Sequence, residues 1–386
     1  MGVYGDKETA AEGICSEQAG SFAGAGHARP QCARSAEKSG PRRYAALDLG
    51  TNNCRLLIAE ARGSGFRVID GFSRIVRLGE RLSCDGVLSR EAMDRAVTAL
   101  RVCASKLAAS GVTRSRLIAT EACRAASNCT EFTGRVFGET GLDLEVVDRE
   151  TEARLAVAGC APLVDDGAEG VLLFDIGGGS SEIVWLDLTS RYHLEGAALV
   201  RCIRAWASLP VGVVTLAERH GGTEVDERVF GAMVDDVSQL LARIDQRGVL
   251  SEAVARGNVH LLGTSGTVTT LAGVFLGLKR YDRRQVDGTW LETGEVDTLI
   301  AQLLGMGFEE RVANPCIGAD RADLVLAGCA ILEAIRRRWP CQRLRVADRG
   351  LREGMLMELI EDDRLAIQRS RRLRFSEHRA PAPTHA

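Results

Sequence analysis

An apolar run that ends in Asp-x-Gly and turns back into a second apolar run occurs twice in this chain. Residues 171–183 read VLLFDIGGGSSEI and residues 44–55 read YAALDLGTNNCR, with 127 positions between Asp48 and Asp175. Each copy reads as a buried strand, a tight bend and a returning antiparallel strand. Glycine in the bend (Gly50; Gly177, Gly178, Gly179) lets backbone N–H groups approach an anion with no Cβ in the way. Thr51, Asn52, Asn53, Ser180 and Ser181 add side-chain donors. Asp175 and Asp48, at the strand ends, cannot attract phosphate themselves, and suit a hard cation that phosphate oxygens can share. A Gly-rich hairpin without a ligand would explain either copy alone. A repeat at this distance instead argues for two related half-folds, each giving one phosphate-cradling hairpin to a common cleft.

A chain of 386 residues with 45% apolar content can build two cored domains. We expect an α/β protein with domains over residues 43–168 and 169–360. Residues 1–42, rich in Gly, Ala, Ser and Glu without apolar periodicity, read as a disordered leader. Residues 361–386 read as a disordered basic tail. The net charge of −3 gives no general bias toward nucleic acid or membrane. No run reaches the roughly 18 apolar residues of a membrane span. The twelve cysteines form no CxxC pair and no export signal precedes them. They read as reduced, space-filling thiols of a cytoplasmic protein rather than zinc ligands.

Ser89 caps a helix whose apolar stripe runs through Met93, Val97, Leu100, Ala104 and Leu107, which marks core. A strand over 116–120 then delivers Glu121 to the start of the next helix. An acid there favours a helix N-terminus in any protein. It could equally reach into the cleft as a base or water-positioner, with Arg124 one turn later on phosphate. Glu150 and Glu152 open the following helix. Acids crowded near bound phosphate make sense only beside a divalent cation. The apolar strand at 258–262 leads into Gly263, Thr264, Ser265, Gly266 and Thr267 before a helix, which suits either a plain cap or an anion. We expect a strand pair over 187–207, a polar loop over 280–295 and a last helix ending at Ile360.

The paired bends resemble those of the actin, sugar kinase and heat-shock ATPase superfamily. With RIVRLGERL (74–82), IATEACRAASN (118–128), VDRETEARLAVAG (147–159) and LLGTSGTVTTLAG (261–273), residues 44–360 resemble the exopolyphosphatase and guanosine pentaphosphate phosphatase family. That resemblance implies two actin-like (ribonuclease H-like) domains with mixed sheets flanked by helices and a cleft between them. The C-terminal helix would pack back on the first domain. It implies release of the terminal phosphate of inorganic polyphosphate, or of guanosine pentaphosphate, with Mg²⁺ or another divalent cation, in a homodimer that needs no nucleic acid or membrane partner; a kinase-like ATPase or a non-enzymatic nucleotide sensor on the same fold is the more distant alternative. Carried onto this chain, it assigns Glu121 and Glu150 to catalysis. Asp48, Glu152 and Asp175 go to the metal. Arg77, Arg124 and the three loops at 50–53, 177–181 and 263–267 go to phosphate. Thr215 stands where the family pattern has arginine, which leaves one anion contact open. The helical domain that longer members carry beyond this point is not expected after residue 360.

Overall fold

The computed structural model describes residues 42–377 except 64, 190–193, 195 and 245–247. Apart from Arg42, the expected leader lies outside the described residues, as do residues 378–386. The chain builds two mixed sheets of one repeated plan. In the first, β1 (Arg43–Leu49), β2 (Asn53–Arg62) and β3 (Gly65–Ile75) form an antiparallel meander. β4 (Arg114–Ala119) and β5 (Glu145–Val146) extend it in parallel, in the order β3-β2-β1-β4-β5. In the second, β6 (Gly170–Ile176), β7 (Ser181–Asp187) and β8 (Ile203–Leu209) repeat the meander. β9 (Val259–Thr264) and β11 (Arg343–Ala347) follow in parallel, and the short β10 (Trp290–Glu292) adds an antiparallel edge.

The central strands are apolar throughout because helices cover both faces. Along β6, Leu172, Phe174 and Ile176 enter the core of the second lobe. Val171 and Leu173 face a second core, which also holds Tyr44, Ala46, Leu57 and Ala59 of the first lobe. That shared core is closed by two helices, Arg149–Cys160 and Leu351–Glu377. Arg114 and Tyr44 of the first lobe bind Asp363 on the last helix, and Arg116 binds Glu358.

Three local expectations are revised. The last helix runs past Ile360 to Glu377, anchored by those ion pairs where the sequence reading saw only solvated charge. Among the described residues after Asp187 and up to 207 there is one strand, β8, preceded by a 3-10 turn at Gly196–Cys202. The segment 280–295 carries a short helix, Arg283–Val286, and β10.

The two closing helices pack through glycines. A Cβ on Gly159 would sit 1.9 Å from the Gly350 carbonyl oxygen, and one on Gly354 would sit 2.1 Å from that of Leu155. Backbone cannot yield as a side chain can. Gly159→Ala is therefore expected to cost about 3 kcal/mol or more. It should appear as a lower urea midpoint at unchanged m-value.

Candidate active site

The two bends share one geometry. The Gly50 N–H donates to the Asn53 carbonyl at 2.9 Å, and the Gly177 N–H to the Ser180 carbonyl at 3.0 Å. The bends meet. A Cβ on Gly178 would lie 3.0 Å from Thr51 Cβ and 3.1 Å from the Asn52 nitrogen; one on Gly179 would lie 2.8 Å from Thr51 Oγ1 and 3.2 Å from Glu121 Cγ. Only glycine lets the first lobe's bend and Glu121 close on the second bend this tightly. Among the described residues, the N–H groups of Thr51, Asn52, Gly178 and Gly179 donate to no protein acceptor.

Around this junction a cleft is lined by Asp48, Gly50, Thr51, Asn52 and Asn53 from the first bend, and by Asp175, Gly177, Gly178, Gly179 and Ser180 from the second. Glu121, Glu152, Ser265, Gly266 and Thr267 complete the set of expected residues that line it. Ser265 holds a left-handed φ of 80° as the chain turns from β9 into the helix Gly266–Phe275, where its side chain acts to lower the pKa of Asp175. Such strain in a non-glycine residue costs of order 1–3 kcal/mol and collects at functional sites.

Other expected residues lie elsewhere. The Ser181 hydroxyl is buried and donates to the Val211 carbonyl. Gly263 is packed against Phe174 and Val268, and Thr264 donates to the Arg349 carbonyl. Arg77 spends its fork on Asp323, at 2.9 and 3.1 Å, and so latches the first lobe to the second rather than lining the cleft. The same loop adds a second tie, from the Arg81 N–H and the Ser83 hydroxyl to Glu218. Glu150 is exposed and faces a different recess. Two residues apart on a helix means about 200° of rotation. Glu152 takes the cleft, so Glu150 cannot. Thr215 folds back to accept from the Gly212 N–H at 2.9 Å, closing the first turn of its helix where an arginine was looked for.

Arg124 stands behind Glu121, donating to Oε2 at 3.1 and 2.8 Å, with its Nη1 2.8 Å from Glu152 Oε2. Arg149 donates to Glu121 Oε1 at 2.9 Å from a half-exposed position. The sequence reading passed over Arg149. It also passed over Arg55 and Glu182, which hold matching places in the repeat: Arg55 stands across from Asp48, and Glu182 across from Asp175. Arg55 and Arg321 line the cleft. Glu182 accepts from Ser180 and Ser208 at 2.9 Å each.

Four acids of this site are pushed toward protonation. Burial, and to a lesser degree Asp48, raises Asp175 to about 6. Burial and the charge of Asp175 raise Glu182 to about 7. Burial raises Asp48 against the pull of Arg55 and Arg352. Glu152 is held well above the carboxylate range by burial and by Glu182, with Arg124 opposing. Among the described residues, no three carboxylate, His or Cys groups converge to cage a metal. Of the four carboxylates that line the cleft, Glu121 and Glu152 are paired with Arg124, which leaves Asp48 and Asp175, one from each lobe, to offer a cation hard oxygens. The buried side-chain oxygens of Asn52 and Asn53 have no protein partner. That donor chemistry fits Mg²⁺, which usually takes one or two carboxylates and completes its shell with water and phosphate.

The sequence profile of the Ppx/GppA phosphatase family matches residues 57–363. The chain is similar to the crystal structure of the Aquifex aeolicus member of that family, with a TM-score of 0.66 at 27% identity over 84% of this chain and 99% of that one. An exopolyphosphatase-like protein gives a TM-score of 0.70 at 28% identity, over 82% and 98%. An exopolyphosphatase from Cytophaga hutchinsonii shares the fold, with a TM-score of 0.73 at 24% identity over 83% and 98%.

Proposed function

Because this chain belongs to the Ppx/GppA phosphatase family, we propose that it hydrolyses the terminal phosphate of inorganic polyphosphate by in-line attack of water in the cleft. The observation that carries this reading is the contact of the two bends beside Glu121. It leaves four N–H donors free at the point where a carboxylate can reach a water.

Phosphoryl transfer asks a protein mainly for positioning and charge stabilisation. The terminal phosphate binds the free N–H groups of Thr51, Asn52, Gly178 and Gly179, helped by the hydroxyl of Thr51. Glu121, held by Arg124 and Arg149, accepts a proton from the attacking water. The water oxygen bonds to phosphorus as the bond to the bridging oxygen breaks. Orthophosphate leaves on one side, and a chain one unit shorter carries the freed charge away. Arg55 and Arg321 face the cleft with charge to offset it. Mg²⁺ bound at Asp48 and Asp175 would draw negative charge from the phosphate oxygens.

A second reading, the 5′-terminal phosphate of guanosine pentaphosphate, is favoured by one feature. Val213, Leu324, Val325 and Leu351 give the cleft an apolar wall that a bare phosphate chain does not need. Phosphate release from polyphosphate, guanosine pentaphosphate and ATP, with and without Mg²⁺, separates these readings. Metal-dependent release from polyphosphate above the other two supports the first. Preference for the nucleotide supports the second. Transfer that requires a phosphate acceptor overturns both.

A further inference from the structure

A second recess opens on the side of the helix Arg149–Cys160 that Glu152 does not use. Glu150 and Arg154 of that helix line it, with Arg201 from the 3-10 turn and Arg204 and Trp206 from β8. Its volume is about 420 Å³, within the range of small-ligand sites. The local backbone explains why these side chains meet. Glu150 and Arg154 are one helical turn apart and share a face. β8 is the free edge of its sheet, and Trp206 pairs with Val184 while remaining 40% exposed. The ladder slips beside Arg204: Ala205 pairs with Trp185 and Ile203 with Leu186, which leaves Arg204 as the extra residue of a bulge. Bulges of this kind re-aim a side chain.

The lining of the recess carries an excess of positive charge. About half of the described arginines sit on a carboxylate, as Arg77, Arg114, Arg116, Arg124 and Arg336 do. Arg154, Arg201 and Arg204 make no hydrogen bond or ion pair with any described residue. Three guanidinium groups line one pocket with a single carboxylate, Glu150, while Asp148 and Glu358 act on Arg154 from outside the lining. Guanidinium forks match phosphate oxygens in pairs, and such bonds are among the stronger ones proteins make.

We propose that this recess binds a chain of phosphates. Two sources share that chemistry. One is the distal part of a long chain whose terminal unit occupies the cleft, which rests on the function proposed above. The other is a separate polyphosphorylated anion, which does not. Arg201→Glu/Arg204→Glu, both exposed on the turn and the edge strand, tests the proposal in the full chain. For the first source, KM for long-chain polyphosphate rises roughly tenfold at low salt. Turnover number and KM for tripolyphosphate stay unchanged, and Arg201→Lys/Arg204→Lys keeps most of the parent KM. For the second source, calorimetric titration of tripolyphosphate into the Glu121→Gln protein gives two sites, and one after the double charge reversal. The proposal is overturned when long-chain KM moves less than about twofold and the stoichiometry stays the same. A wild-type protein that released no phosphate would sink the cleft reading alone, and the titration would still decide the recess.

Discussion

Glu121→Gln is expected to lower phosphate release from polyphosphate by roughly 10³-fold, the scale of a lost general base. The loss should fall on kcat, with KM changed little, because the role proposed for the group is on the water and not on the bound chain. Glutamine keeps the size of the side chain beside Gly179, where space is tight. It also keeps an oxygen for Arg124 or Arg149, although not for both at full charge. The urea midpoint should therefore stay near that of the parent. Glu121→Ala should lose the same activity. It also strips Arg124 of a partner, but the Glu152 carboxylate still lies 2.8 Å from Nη1. Turnover within about threefold of the parent in Glu121→Gln would leave the carboxylate as a structural partner of two arginines and move the base elsewhere.

The duplicated bends were legible in the sequence because their chemistry is local. An apolar strand, a terminal Asp and a glycine turn are adjacent in the chain, and the same signal twice implied two matching sheets. What escaped depended on register. Arg55 and Glu182 lie seven positions after their Asp, which a two-residue bend brings directly across the hairpin. That count could have been made from the sequence. The choice between Glu150 and Glu152 was also open to it: Leu155 and Ala156, three and four residues after Glu152, are buried, so Glu152 shares the inward face. Arg77 is different. A guanidinium suits carboxylate as well as phosphate, and its partner Asp323 lies 246 residues away. No local pattern could choose between them. Arg154 and the 201–206 segment likewise come together only through the packing of a helix on the second sheet's free edge.

Asp175→Asn carries the other large effect, and it separates stability from activity. Burial holds Asp175 protonated up to about 6 and Glu182 up to about 7, both above their values in an unfolded chain. Between the unfolded and folded values the native state carries more protons than the unfolded one. The stability these groups lend is thus complete below about pH 4 and lost as pH rises through 6 and 7. Without metal, the wild-type melting temperature should fall between pH 5 and pH 8. At the proposed site Mg²⁺ would bind only the native, deprotonated cluster, and so should restore melting temperature at pH 8 and do little at pH 5. Asparagine keeps the shape of the side chain and has no charge to bury. The variant should melt higher than the metal-free wild type at pH 8, fail to respond to Mg²⁺, and release phosphate at least about 10²-fold more slowly. Equal Mg²⁺ shifts in wild type and variant would place the cation away from Asp175. A metal-free variant less stable than the wild type at pH 8 would mean that the attraction of Arg55 for the Asp175 carboxylate outweighs the cost of its burial.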